Sequence, residues 1–327
     1  MRAIRFFRSV YWDNELRRAD IRRRLHADLA LYLKNRALAP ADALLRRNYV
    51  GTRQPIVFIV GAPRSGTTVL YQLMAEHLDV GFVNNKMARY FAAPLIAAMI
   101  HGRAGGGHRF DLASEYGRTT GDRSPHEFSW FWHYHGDFRL HDDLSPDELD
   151  RIDWRPIKDA LEALAGYFKR PLVIKNLNSV AYQVTWLAKL LPSAKFIWIR
   201  RDERFTVQSI LRVREDQYGD RNIWWSVRPR DVAAWRDKPA VEQVAHQVTD
   251  IGIAIESAFE SLSADRQMEL EYEDLMAKPG ETLRRVAGFV GAGIVDEGRL
   301  DGLALRARNE KTVDDKTWDQ IQVALAP

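Results

Sequence analysis

The chain has 327 residues, 46% hydrophobic and 28% charged, with a formal net charge of +4 and no cysteine. That is ordinary for a globular protein with enough chain for a full core. It excludes disulfides, thiolate metal sites and cysteine nucleophiles, and the small net charge carries no nucleic-acid signature.

Residues 1–50 read as a helical, basic extension rich in Ala, Leu and Arg, with Pro40 as a break. Residues 1–36 hold ten Lys or Arg against four Asp or Glu. Ile21, Leu25, Leu29, Leu31 and Leu33 sit among these arginines, so the helix either packs on the domain or makes peripheral contact with an anionic membrane. The first ten residues lack the apolar stretch of a secretory signal. The longest apolar run, Phe91 to Ile100, is far short of the roughly 20 residues that span a bilayer. With no cysteine, the expected location is cytoplasmic.

Residues 51–327 are expected to form one α/β domain. The run Pro55-Ile56-Val57-Phe58-Ile59-Val60 has the apolar, β-branched character of a buried parallel strand. After a short loop, Val69, Leu70, Leu73, Met74 and Leu78 recur at helical spacing. Residues 101–125 are glycine-marked loop, with Gly102, Gly105, Gly106, Gly107 and Gly121. An aromatic segment follows, Phe128, Trp130, Phe131, Trp132, Tyr134 and Phe138, interleaved with His126, His133 and His135. Those spacings fit either a core helix or a cleft wall that stacks a ring. The histidines lack a third ligand at metal-binding spacing.

Further helices are predicted at 156–168, 180–191, 241–261 and 281–290, with strands at 171–174, 195–199 and 268–272, and a polar tail after the last helix. Strands alternating with helices imply a mostly parallel central sheet with helices on both faces, the arrangement of P-loop nucleotide-binding proteins.

Gly61-Ala62-Pro63-Arg64-Ser65-Gly66-Thr67-Thr68 joins the first strand to its helix. Glycines let the backbone aim its N–H groups at an anion, the helix adds its positive end, and Arg64, Ser65, Thr67 and Thr68 add side-chain donors. The spacing is Gly-x4-Gly, but the Lys of a nucleotide kinase is Thr67 here. The two best internal strands end in Lys175 and in Arg200-Arg201, the wrong sign for a magnesium site. A ligand with a 5′-phosphate bearing one anionic substituent fits better than a nucleoside triphosphate.

Pro63-Arg64-Ser65-Gly66-Thr67-Thr68 after an apolar strand resembles the 5′-phosphosulfate loop of the PAPS-dependent sulfotransferases, in the bacterial branch, where Arg is familiar at the Arg64 position. Lys195-Phe196-Ile197-Trp198-Ile199-Arg200-Arg201, with Ser209 eight residues on, resembles that family's 3′-phosphate motif. Leu270-Glu271-Tyr272-Glu273-Asp274-Leu275 resembles its base-covering turn, which implies that Tyr272 contacts adenine. A core tyrosine is the competing reading. The resemblance implies 3′-phosphoadenosine 5′-phosphosulfate (PAPS) as cofactor, adenosine 3′,5′-bisphosphate as product, no metal, and a hydroxyl- or amine-bearing acceptor. The basic, glycine-rich C-terminal loop of the cytosolic eukaryotic branch is missing, because Arg306, Arg308 and Lys311 occur without the glycines.

Sulfuryl transfer needs a base for the acceptor and cations for the leaving group. Lys175, at a strand's carboxyl end, is the candidate to assist Arg64 there. Where the cytosolic branch has a catalytic His, this chain has Leu177, so Glu127 or His126 is the candidate base. A P-loop nucleotide kinase, or a non-catalytic nucleotide-binding module, are the alternatives.

Overall fold

In the computed structural model the described residues are 2–7, 18–102, 109–110, 112, 114–115, 118–136 and 143–326. Gly105, Gly106, Gly107 and Phe138 of the readings above lie outside them, as do the side chains of Ile21, Arg22 and Arg23. Helices α1 (Arg2–Phe7) and α2 (Arg18–Arg46) precede the first strand, β1 (Ile56–Val60). Next come α3 (Thr67–His77), β2 (Gly81–Phe82), α4 (Pro94–His101), the short antiparallel pair β3 (Ser114–Glu115) and β4 (Arg118–Thr119), and α5 (Ser129–His135). The middle of the chain holds α6 (Pro146–Asp150), α7 (Arg155–Phe168), β5 (Leu172–Lys175), α8 (Leu177–Val180), α9 (Val184–Leu190) and β6 (Lys195–Arg200). The remainder is α10 (Glu203–Tyr218), α11 (Ala240–Glu260), β7 (Gln267–Glu271), α12 (Tyr272–Ala277), α13 (Pro279–Val290), α14 (Glu297–Asp301) and α15 (Asp315–Ala324).

Five strands form one parallel sheet in the order β2-β5-β1-β6-β7. Central β1 is buried along its whole length, as its uninterrupted apolar sequence requires when both faces are covered. Its side chains alternate. Ile56, Phe58 and Val60 join the core under α2, α4, α7 and α11, whereas Val57 and Ile59 join the core under α3, α12 and α13. The chain leaves β1 toward β2 at one edge and leaves β6 toward β7 at the other. The carboxyl ends of β1 and β6 therefore flank a topological switch point, where such sheets open a crevice.

Three expectations need correction. Pro40 does not break the N-terminal helix, which runs through it. Pro40 is exposed, so water reaches the carbonyl that its missing N–H leaves over, and tertiary bonds hold both flanks. Asn35 Nδ2 donates to Arg89 O at 2.9 Å while its Oδ1 accepts from Ala92 N at 2.8 Å; Asp42 accepts from Ile96 N at 2.8 Å and pairs with Arg46 at 2.9 Å. Pro40→Ala is expected to stabilise the protein by about 1–2 kcal/mol, read by urea unfolding. The fourth strand ends at Glu271, and Tyr272 begins α12, whose first turn carries Glu273 and Asp274 against the positive helix end. The polar tail contains α14 and α15, and α15 packs on α10 and α11 around buried Ile321.

Candidate active site

The loop from Gly61 to Gly66 sits at the switch point. Gly61 has φ 151°, and a Cβ there would meet Ile199 O of β6 at 2.6 Å. Gly66 has φ 103°, and a Cβ there would meet Tyr272 Cδ2 at 2.6 Å. Between them Arg64 is itself left-handed, with φ 71°. The backbone thus lies as close to β6 and α12 as a glycine loop allows. Gly66 caps α3 with no side-chain hydrogen bond, so the helix's first N–H groups have no side chain competing for them. Ser65 is 2% exposed and its Oγ has no hydrogen-bond partner among the described residues. A buried, unpaired hydroxyl at a helix N-terminus fits an anion. Gly66→Ala is expected to destabilise the fold by about 2–4 kcal/mol, seen as a lower unfolding midpoint, because strain and a clash with an aromatic ring add.

Lys175 ends β5 and is 3% exposed. Its Nζ donates to Thr68 Oγ1 at 3.0 Å and forms an ion pair with the Glu127 carboxylate. One buried ammonium therefore joins the phosphate loop to a candidate base. Buried Asn176 holds the other side, donating to Glu127 O at 3.0 Å and Ser129 Oγ at 3.3 Å. The geometry treats the other candidate differently. His126 Nδ1 accepts the Phe128 N–H at 2.8 Å, which leaves the hydrogen of a neutral ring on Nε2 and occupies the nitrogen that would take a proton. Phe128, at φ 59°, turns the chain into α5 and stacks on Phe131 with centroids 4.6 Å apart. Phe128, Phe131 and Trp132 are core residues, and among the described residues no cluster of His, Asp or Glu could hold a metal ion.

The third group of residues closes around Arg64. Its Nε donates to Ser209 Oγ on α10 at 3.0 Å, and Arg201 donates to Arg64 O at 3.0 Å. Arg201 also donates to Asn309 Oδ1 at 2.9 Å and Arg308 O at 2.6 Å, and its guanidinium lies over the Tyr272 ring, 4.8 Å from the centroid. Burial pulls the Arg201 pKa below the usual guanidinium value, against the opposing pull of Tyr272 and Glu273. An anion bound here would offset that desolvation. Tyr272 is buried between Gly66 and Arg201, and its hydroxyl accepts from Arg308 N at 3.1 Å.

A model of the Sulfotransferase family matches residues 55–296. The chain belongs to the sulfotransferase family. Among solved structures, sulfotransferase STF1 of Mycobacterium tuberculosis H37Rv aligns with a TM-score of 0.54 at 16% identity, over 88% of this chain and 81% of that one. The sulfotransferase of Alicyclobacillus acidocaldarius gives 0.44 at 14% identity, over 83% and 91%. STF9 of Mycobacterium avium gives 0.43 at 16%, over 83% and 67%. At such identities the likeness speaks for the fold, and of these three the first is close enough to carry it. Membership in the family supports sulfuryl-transfer activity, and the sheet with its flanking helices is the α/β arrangement expected from the sequence.

Several residues of this network were not singled out in the sequence. Asn176 positions the Glu127 loop, and its only signal is adjacency to the strand-end Lys175. Residues 303–313 cross the site as an extended strap. Gln208 of α10 ties the strap down, donating to Glu310 O at 2.9 Å and accepting from Thr312 N at 2.8 Å. Asn309 adds a bond to Glu273 at 2.5 Å. Of the three C-terminal cations, Arg306 and Lys311 pair with Glu310 and Asp315 along the chain, whereas Arg308 meets the site through its backbone.

Proposed function

We propose that this member of the family transfers a sulfuryl group from PAPS to an acceptor hydroxyl or amine. The observation that carries the reading is the join between two anion sites. Arg64 belongs to the loop after β1, yet it bonds Ser209 of α10 and is bonded by Arg201 after β6. A ligand with phosphates at both ends of a nucleoside, 5′ and 3′, is what two linked cradles recognise. The loop residues Arg64, Ser65, Gly66, Thr67 and Thr68 would hold the 5′ end, and Arg201 with Ser209 the 3′ end, with Tyr272 supporting both.

When bound, PAPS supplies a sulfuryl group on a 5′-phosphate leaving group. Glu127 takes the proton of the attacking hydroxyl or amine, because its carboxylate is the acceptor beside the loop. Lys175, in contact with Thr68, and Arg64 offset the charge that develops on the leaving oxygen. A nucleoside triphosphate finds less here. Thr67 replaces the P-loop lysine, and β5 and β6 end in Lys175 and Arg200 where a magnesium-binding acid would stand.

Calorimetric titration tests the donor assignment. Adenosine 3′,5′-bisphosphate is expected to bind tightly, with AMP much weaker and Mg-ATP weaker still. A preference for Mg-ATP would overturn the reading and return the loop to the kinases.

A further inference from the structure

We propose that the outer face of α2 is a docking surface for an anionic lipid bilayer, on which the protein lies without crossing it. Leu25, Leu29, Leu33 and Leu44 are 40%, 41%, 58% and 62% exposed. At 3.6 residues per turn the first three follow one another on a single stripe that starts beside the inward-facing Tyr32 and turns away from Asn35, Asp42 and Arg46. Arg36 and Arg47 are exposed and fall on the same side as the leucines by that spacing. Of the acids described on this helix, Asp42 is buried in its pair with Arg46, and Asp28 is half-buried on the same inward side. Neighbouring elements also expose apolar side chains. The adjoining α1 exposes Ile4, and α4, which packs along α2, exposes Met99 and Ile100. Among the described residues beyond 100, the exposed large apolar side chains are Ile253, Val295 and Val323, each on its own.

Charge decides between occupants. A second copy packed face to face would set Arg36 and Arg47 against like charges and desolvate them. Anionic headgroups supply the counter-charge while the leucines enter the boundary between headgroup and acyl chain. No helix among the described residues is long and apolar enough to cross a membrane, so the contact is with the surface alone. Through Tyr32 and Phe91 this helix backs onto Trp130 and Tyr134 of α5, which starts just after Glu127. Where the sulfuryl-transfer reading holds, docking brings the side of the molecule that carries the base toward the bilayer.

The test is co-sedimentation of the full chain with vesicles of phosphatidylglycerol and phosphatidylcholine, against phosphatidylcholine alone. The wild type is expected to pellet with the anionic vesicles and to dissociate as salt rises. The triple variant Leu25→Ser, Leu29→Ser, Leu33→Ser and the double variant Arg36→Glu, Arg47→Glu should each lower the partition coefficient at least about tenfold. Both change exposed residues, and retained binding of adenosine 3′,5′-bisphosphate or an unchanged circular-dichroism spectrum reports that they fold. Lys278→Glu at the N-cap of α13, with Arg285→Glu on that helix, makes the same charge change across the sheet and should weaken binding far less. Equal pelleting of wild type and both α2 variants, or no pelleting with anionic vesicles at low salt, overturns the proposal. So does a wild-type dimer, seen by sedimentation equilibrium, that the leucine variant dissociates, since a second copy would then cover the face. None of these readouts depends on turnover, so failure here leaves the sulfuryl-transfer reading standing.

Discussion

Glu127→Gln is expected to lower kcat by about 10²- to 10⁴-fold, the usual span for losing a general base, with little change in the Kd for adenosine 3′,5′-bisphosphate. The substitution keeps the shape of the side chain and its backbone contact with Asn176, and removes the atom that accepts the proton. It also leaves Lys175 without its carboxylate, and Lys175 is buried. Two effects are thus mixed, and a second variant separates them. Lys175→Met should depress turnover as well, because the leaving group loses a cation, but it should also weaken binding of the bisphosphate product. A split in which Glu127→Gln alters turnover alone, and Lys175→Met alters both, is the signature of a base and a charge stabiliser sharing one contact. Turnover near wild type in Glu127→Gln would remove the base role from that residue. His126 would then have to give up the Phe128 N–H to take over.

Arg201→Ala is expected to raise the Kd for adenosine 3′,5′-bisphosphate by about 30- to 100-fold, or about 2–3 kcal/mol, the worth of charge-assisted hydrogen bonds to a phosphate. AMP, which lacks the 3′-phosphate, should bind both proteins alike. That difference matters because Arg201 has a second job. It bonds Arg64 O, Arg308 O and Asn309 Oδ1, so its loss also loosens the strap at 303–313. Asn309→Ala loosens the strap while keeping the guanidinium, and should change the bisphosphate Kd much less. Equal losses for AMP and the bisphosphate in Arg201→Ala would mean that Arg201 only supports the loop, and the 3′-phosphate would then lie elsewhere.

The loop between β1 and α3 was legible because its conformation is local. A glycine at each end, an apolar strand before and a helix after are contiguous in sequence, and backbone sterics alone make that stretch a tight turn between strand and helix. The buried strands β1, β5 and β6 were legible for a similar reason, since short apolar runs bounded by turn residues have few alternatives. Their carboxyl-end cations, Lys175 and Arg201, came with them. The same local logic misjudged Pro40, because whether a helix survives a proline depends on what its flanks touch. Asn35 and Asp42 reach residues more than fifty positions away. It also left Tyr272 between a base-contacting and a core role, whereas in the fold the ring is wedged between Gly66 and Arg201.

The sequence by itself determined the parallel α/β sheet, the glycine-bounded loop between β1 and α3 and the sign of the charge at the strand ends. All three follow from backbone sterics and residue type within short windows. Only the tertiary structure decided which distant groups meet. The Lys175–Glu127 contact spans forty-eight residues, Arg64 and Ser209 are 145 apart, and Arg201 reaches Asn309 across 108. Such contacts depend on strand order and on where α5 and the C-terminal strap come to rest. Those are set by burial of the whole core, a sum over many weak apolar contacts that no short stretch of sequence encodes.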